Sequence, residues 1–419
     1  MERADLSQAL RAWRSREHGT GSKEPILISE AGPARFMAAF ADAVAGTGEV
    51  FLGNPAWGES ERAQLAALRL VPRSSIPASG SSQGWLCVPT GGTSGQVKFA
   101  RHDAATLSAA VLGFTRHLGV SQVNAVGVLP LHHVSGLMAW LRCALTGGEY
   151  RSLEWKALEG GARPALPTRP EGWMISLVPT QLERLLRSRP AVTWLRQFRI
   201  IFLGGAPVQS GLLEAAAAER LPLSLGYGMT ESAAMITALR PEEFLAGVRS
   251  CGSVLPHATL KIGSDGVIII GGDSLFRGYH PQWRAHGNFE TTDCGSLDER
   301  GQLHVAGRRD GVIITGGEKV EPAEVEAVLR ASGEFSEVVV IGVPDAEWGQ
   351  AVVAAYPATD QPDLGKVAGA ASRSLSSAKR PKQFVPLAPW PVNDQGKVNR
   401  AEVARRVNSV WRSAGQAGA

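Results

Sequence analysis

The sequence has few cysteines, no concentration of charge and no long apolar run, and each absence closes off a class of protein. Its four cysteines, Cys87, Cys143, Cys251 and Cys294, lie far apart with no C-x-x-C pair, so neither a disulfide framework nor a zinc site is suggested. A reducing, cytoplasmic setting is expected. The 43 Lys+Arg exceed the 39 Asp+Glu by only four, and the basic residues are scattered singly, which speaks against a charge-driven nucleic-acid binder. No segment approaches the ~18 uninterrupted apolar residues of a membrane span. Charges interrupt the amino terminus every few residues, so neither export nor a membrane span is expected. Internal repeats and low-complexity linkers are missing as well.

What is there is length and glycine. At roughly 150 residues per domain, 419 residues predict two or three domains with sizeable cores. The 48 glycines stand well above the usual ~7% and predict many turns. Helices are predicted over residues 6–16 and 58–68, followed by a Ser, Pro and Gly loop over residues 72–84. From Trp85 onward apolar runs alternate with helical patterns: WLCV before residues 104–118, NAVGVL before 135–145, WMISLV before 180–188 and RIIFL before 208–220. Such alternation predicts βαβ units and a mainly parallel sheet covered by helices. After Gly252 the short runs TLKI, GVIII, QLHVAG and GVIIT predict antiparallel hairpins. Beyond Asp310 a helix opening at Pro322, the runs EVVVIGV and QAVVAAY, a helix near residues 364–377 and a basic tail predict a small α+β unit. The expected architecture is therefore α/β. A large domain over residues 1–309 is followed by a smaller one over residues 310–419, the boundary resting on this change of pattern.

One segment carries clear chemistry. Pro89-Thr-Gly-Gly-Thr-Ser-Gly-Gln-Val-Lys98 follows a predicted strand and combines three glycines, three hydroxyls and a lysine, the groups with which backbone and side chains cradle phosphate. It is not a Walker loop, because Gln96, Val97 and Phe99 occupy the places where that motif needs glycine, lysine and a hydroxyl. A flexible turn is the plainer alternative.

The loop resembles the T-S-G-T-T-G-x-P-K signature of adenylate-forming enzymes, the superfamily of acyl-CoA synthetases, luciferases and peptide-synthetase adenylation domains. Gly91 stands for the serine and Val97 for the proline. Later stretches resemble the family's other motifs in order. They are Leu129-Pro-Leu-His-His-Val-Ser-Gly136 beside the acyl pocket, Gly204-Gly-Ala-Pro207 flanking adenine, Tyr227-Gly-Met-Thr-Glu231, Thr292-Asp293 and Gly307-Arg-Arg-Asp310. Gly316-Gly-Glu-Lys-Val-Glu-Pro-Ala-Glu-Val-Glu326 and Asn393-Asp-Gln-Gly-Lys397 complete the set. The resemblance runs from about Trp85 to Arg406 and implies a large adenylating domain with a mobile carboxyl-terminal cap.

It also implies roles. ATP would be bound by Thr90, Gly92, Thr93, Ser94, Gly95 and Lys98, by Gly205, Ala206, Tyr227 and Gly228, and through its ribose by Asp293 and Arg308. Thr230 and Glu231 would hold phosphate and Mg²⁺, a hard cation that takes oxygen ligands. Lys397 would reach the α-phosphate and the acid's carboxylate as charge accumulates there, and Asp310 would be the hinge. Thr292 in place of the usual glycine leaves the local backbone path in question. With no carrier domain, coenzyme A is the implied acyl acceptor, approached by Gly316 and Gly317, with Trp348 either packing on it or anchoring the small domain.

Three imitations are set aside. Gly271-Gly-Asp-Ser274 looks like a phosphopantetheine attachment sequence but lies inside the adenylating chain, Gly80-Ser-Ser-Gln-Gly84 precedes a strand where a nucleophile elbow must follow one, and Gly226-Tyr-Gly228 has Glu231 where a dinucleotide fingerprint needs glycine.

Among such enzymes the short amino-terminal part, HHVSGLMAWLR and YGMTESAAMITALRPEEF are similar to o-succinylbenzoate-CoA ligases of menaquinone and phylloquinone synthesis. That resemblance implies an acyl pocket with His133, which also has a catalytic part, and Ser135. Arg142 either pairs with the substrate's second carboxylate or faces solvent or a neighbouring loop. Another aryl- or acyl-CoA ligase, or a non-catalytic nucleotide binder, are the alternatives. The implied partners are small molecules, namely an aromatic carboxylic acid, ATP and coenzyme A, with no nucleic acid.

Overall fold

The computed structural model describes residues 1–14, 25–57, 59–69, 84–90, 97–169, 171–205, 208, 210–285, 287–315, 318–345, 348–393 and 397–416. Its first sheet joins β1 (Ile26–Ile28), β2 (Val50–Leu52), β3 (Leu86–Thr90) and β4 (Lys98–His102), in that order, with only β3 and β4 antiparallel. The second has seven strands. β5 (Ala125–Gly127), β6 (Tyr150–Ser152), β7 (Met174–Leu177), β8 (Ile200–Leu203) and β9 (Leu223–Met229) run parallel. β10 (Ala234–Ala238) and β11 (Ser253–Val254) finish one edge antiparallel. Strands β7 and β8 are buried almost throughout, the burial expected of strands covered by helices on both faces.

The helices that cover this sheet end where the sequence says they should. Asp103 caps the helix Ala104–Leu118 by accepting the Thr106 N–H at 2.9 Å, and Gly119 closes it in the left-handed conformation. The next helix, Val134–Thr146, is buried from Gly136 to Ala144. Its entry turn depends on Gly136, where a β-carbon would stand 2.2 Å from the Pro130 carbonyl oxygen.

A third sheet, β12 (Ala258–Ile262), β13 (Val267–Gly272), β14 (Phe289–Leu297) and β15 (Leu303–Arg308), is antiparallel throughout. The predicted GVIIT strand is not part of it. As β16 (Ile313–Thr315) it forms, among the described residues, a separate antiparallel pair with β17 (Glu318–Val320). After the helix Pro322–Ala331, β18 (Val339–Asp345), β19 (Gly349–Pro357) and β20 (Gln383–Leu387) form the last sheet.

Several elements escaped sequence reading. The stretch predicted as a basic tail is the helix Arg400–Gln416, because Val403, Val407 and Trp411 recur every four residues and pack on β18 and β19, while Arg400 pairs with Glu326 and Arg405 and Arg406 pair with Glu402. The longest strand of the third sheet, β14, is polar along most of its length and partly exposed, so it shows no apolar run. The helix Pro33–Ala45, with β1 and β2, gives the amino-terminal part a core in which Phe36 and Phe40 are fully buried.

Candidate active site

Two hairpins and one strand pair place the groups singled out in the sequence. Thr90 ends β3 and faces Lys98, the first residue of β4, so the glycine-rich segment is held at both ends by one antiparallel pair. Gly92, Thr93, Ser94 and Gly95 themselves lie outside the described residues, as do Ala206, Gly316 and Gly317. Val97, where the resemblance has proline, donates its backbone N–H to Gln64 at 2.9 Å, a bond that proline cannot make.

The second hairpin joins β9 to β10 through the single turn Thr230–Ser232, with Tyr227 and Gly228 just before it. The turn is followed by two non-glycine residues at positive φ, Ala233 at +52° and Ala234 at +81°, a strained path of about 1–3 kcal/mol per residue that the surrounding bonds must hold. Those bonds come from far away in sequence. Tyr279 donates its hydroxyl to the Glu231 carboxylate at 2.6 Å, and Phe276 donates its N–H to the Glu231 carbonyl at 2.8 Å. His102, at the end of β4, donates Nε2–H to the Thr230 carbonyl at 2.7 Å. Burial pushes the His102 imidazole down to about 4, so it is neutral at pH 7 and its Nδ1, 3.1 Å from the Thr106 hydroxyl, is the acceptor. Tyr279 and His102 were missed in the sequence. Each lies outside every motif and acts across 48 and 128 residues respectively, so no local pattern marks it.

The strand pair is β14 with β15, where Asp293 and Arg308 are direct cross-strand partners. Tyr227 donates its hydroxyl to Asp293 at 2.8 Å, tying β9 to this pair. Burial and the adjacent Asp293 carboxylate push the Tyr227 phenol up. Thr292, whose effect on the backbone was in question, sits in β14 with its side chain exposed.

Lys397 reaches this cluster from the carboxyl-terminal part. The residue as a whole is exposed, but its ammonium points inward and donates to the Gly205 carbonyl at 2.6 Å. Gly205 takes φ +79° two residues after the end of β8. The buried position of the ammonium and the neighbouring charge of Arg308 hold its pKa below the ordinary lysine value, against the pull of Asp293. The structure thus brings Gly205, Tyr227, Asp293, Arg308 and Lys397 together. Asp310 lies in the turn Arg309–Gly311 between β15 and β16. Trp348 is not an anchor of the small unit: it is 41% exposed and its ring is faced by Lys382 at 5.0 Å.

His133 is the residue before the helix Val134–Thr146, its ring 4.4 Å from that of His132, and Ser135 lies in the first turn. Arg142, on the same helix, is 4% exposed and does not face solvent. Its guanidinium lies 4.0 Å over the Phe114 ring, and its Nε is enclosed with no hydrogen-bond partner. Burial pushes its pKa down to about 10, which leaves it charged at pH 7. Ser274, in the imitation attachment sequence, is 1% exposed and could not carry a prosthetic arm without unfolding around it. Among the described residues no cluster of three or more His, Cys, Asp or Glu could enclose a metal ion by itself.

Two family profiles match the chain: AMP-binding enzyme over residues 59–280 and AMP-binding enzyme C-terminal domain over residues 324–397. The chain belongs to the AMP-binding enzyme family. Among curated members it is 32% identical to the 2-succinylbenzoate–CoA ligase of Listeria innocua over 331 residues, 76% of this chain and 69% of that one. It is also 32% identical to the 2-succinylbenzoate–CoA ligase of Enterococcus faecalis over 326 residues, covering 74% and 67%. Among solved structures, the o-succinylbenzoate coenzyme A synthetase of Bacillus subtilis in complex with ATP and magnesium ion is 25% identical, with a TM-score of 0.75 over 94% of this chain and 91% of that one. The ATP-bound MatB of Rhodopseudomonas palustris shares the fold at 21% identity and a TM-score of 0.77, covering 98% and 93%.

Proposed function

We propose that this family member is an ATP-dependent acid–thiol ligase that activates 2-succinylbenzoate as its acyl adenylate and passes the acyl group to coenzyme A. In the first step a carboxylate oxygen of the acid attacks the α-phosphorus of ATP, the bond to the β-phosphate oxygen breaks, and pyrophosphate leaves. In the second the coenzyme A thiol, losing its proton, attacks the acyl carbonyl and AMP leaves. The observation that carries the reading is the reach of Lys397 to Gly205 beside the Asp293–Arg308 pair. It supports a role for the Lys397 cation where the α-phosphate and the acid would meet. Asp293 would accept the ribose hydroxyls and Arg308 would approach the same sugar. Thr90, Lys98 and the glycine-rich segment between them, with Gly92, Thr93, Ser94 and Gly95, would bind phosphate.

The donor set at Glu231 fits magnesium: a carboxylate held by Tyr279, next to the Thr230 hydroxyl, supplies oxygen ligands that leave room for phosphate oxygens. Magnesium, when bound, neutralises charge on the phosphates and the departing pyrophosphate. Tyr279→Phe removes the hydroxyl that orients Glu231 and should raise the Mg²⁺ concentration for half-maximal pyrophosphate release by on the order of 10-fold. A Mg²⁺ titration of the variant against wild type checks it.

Asp310, in the turn between β15 and β16, is the proposed hinge of a cap comprising residues 310–419, turning a Lys397 face and a Gly316–Gly317 face toward the site in succession. Asp310→Pro fixes φ near −65° and should slow at least one half-reaction by on the order of 10-fold. Wild-type rates in both, measured separately, would place the hinge elsewhere. Among the described residues no helix is long and apolar enough to cross a membrane and no disulfide is present, in keeping with a cytoplasmic enzyme. The test of the two-step reading is pyrophosphate and AMP release from 2-succinylbenzoate with and without coenzyme A. Without it, pyrophosphate should appear as a burst of about one equivalent per enzyme and then slow. With it, AMP and thioester should accumulate continuously.

A further inference from the structure

Arg142 is not alone in lacking a partner. His257, in the turn before β12, is 8% exposed, and both of its ring nitrogens are enclosed without a hydrogen bond. Burial first, and then the charge of Arg142, push its imidazole down to about 4, against the pull of the exposed Asp273 carboxylate. At neutral pH the ring therefore offers one N–H donor and one bare nitrogen. Its backbone is fixed, since its carbonyl accepts the Asp273 N–H at 3.0 Å.

The ring is fixed by a glycine. It lies against the helix Ala104–Leu118 at Gly113, where a β-carbon would stand 1.8 Å from Nδ1. Any larger residue at position 113 would evict it. The next residue of that helix is Phe114, whose ring carries the Arg142 guanidinium. A cation and a neutral donor thus rest on consecutive residues of one helix, within electrostatic reach of each other, and both have buried nitrogens left unmatched. Buried polar groups are nearly always paired, so two unmatched groups within electrostatic reach of each other suit a ligand that supplies the acceptors. A carboxylate suits both. Its two oxygens offer about four acceptor positions, and a guanidinium fork uses only part of them.

We propose that His257 is a specificity-determining residue, donating its ring N–H to the same second carboxylate of the acid that Arg142 holds. This rests on the ligase reading above and on Arg142 lining the acyl pocket. It predicts a site selective for a dicarboxylic acid through two side chains contributed by different parts of the chain, with Gly113 reserved to admit one of them.

The test compares KM for 2-succinylbenzoate with KM for its two monocarboxylate analogues, each lacking one carboxylate, in wild type, His257→Leu, His257→Gln and Gly113→Ala. Thermal melting and AMP binding by calorimetry serve as checks on the fold and on the nucleotide half of the site. His257→Leu and Gly113→Ala should each raise KM for the dicarboxylate about tenfold, the loss of one hydrogen bond to a charged group. KM for ATP and for the accepted analogue should stay unchanged. His257→Gln, which keeps a donor, should recover most of the loss. An unchanged KM for 2-succinylbenzoate in folded His257→Leu, or an equal rise for the analogue, overturns the proposal while leaving the ligase reading intact. Failure of the wild-type enzyme to turn over 2-succinylbenzoate would instead remove the reading on which it rests.

Discussion

Lys397→Ala should slow acyl-adenylate formation by on the order of 100-fold or more, equivalent to about 3 kcal/mol of transition-state stabilisation, while thioester formation from supplied acyl adenylate stays near wild type. The reason is geometric. Lys397 stands on the segment that crosses from the carboxyl-terminal part to the Gly205 carbonyl, next to Asp293 and Arg308. A cation there opposes the charge that builds up as the acid's oxygen closes on the α-phosphorus. Once the adenylate exists that charge has departed with pyrophosphate, and on the proposed hinge motion the thiol's attack would use a different face of the cap. Separate assays of the two half-reactions check the division of labour. Equal damage to both would refute it.

Arg142→Ala should raise KM for 2-succinylbenzoate by at least about 30-fold, the lower end of the ~2 to 5 kcal/mol lost with a buried charged hydrogen bond, and barely affect a monocarboxylate. The sequence anticipated part of this. The helix Val134–Thr146 contains no acidic residue, and an arginine buried within it needs a counter-charge. The structure sharpens the argument by showing the guanidinium over Phe114 with Nε enclosed and unpartnered, and among the described residues no acidic side chain forms an ion pair with it. Steady-state kinetics on both substrates decide it. An equal loss on both would make Arg142 a structural residue.

How much of this was legible beforehand follows the range of the interactions. Elements set by local periodicity were found almost to the residue: the predicted helix over residues 104–118 is Ala104–Leu118, and 135–145 is Val134–Thr146. Elements whose apolar residues are sparse were not. Among its described residues the helix Arg400–Gln416 fully buries Val403 and Val407 among arginines, and strand β14 carries the ribose-binding candidate Asp293 on a largely polar surface. In the site, the motif residues could be named from their order along the chain. The groups that hold them could not, because Tyr279 on Glu231, His102 on Thr230 and Tyr227 on Asp293 are partners only after the sheets have formed. Local pattern names the candidate residues, and tertiary structure reveals the groups that hold them.

The central claim is the choice of acid, and the ratio of kcat/KM values tests it most directly. Formation of the coenzyme A thioester is to be followed, at saturating ATP and Mg²⁺, across 2-succinylbenzoate, its monocarboxylate analogues, benzoate and a long-chain fatty acid. The account predicts that 2-succinylbenzoate exceeds every other acid by about 30-fold or more, the share assigned to its second carboxylate. A higher kcat/KM for benzoate, the fatty acid or a monocarboxylate analogue would contradict it.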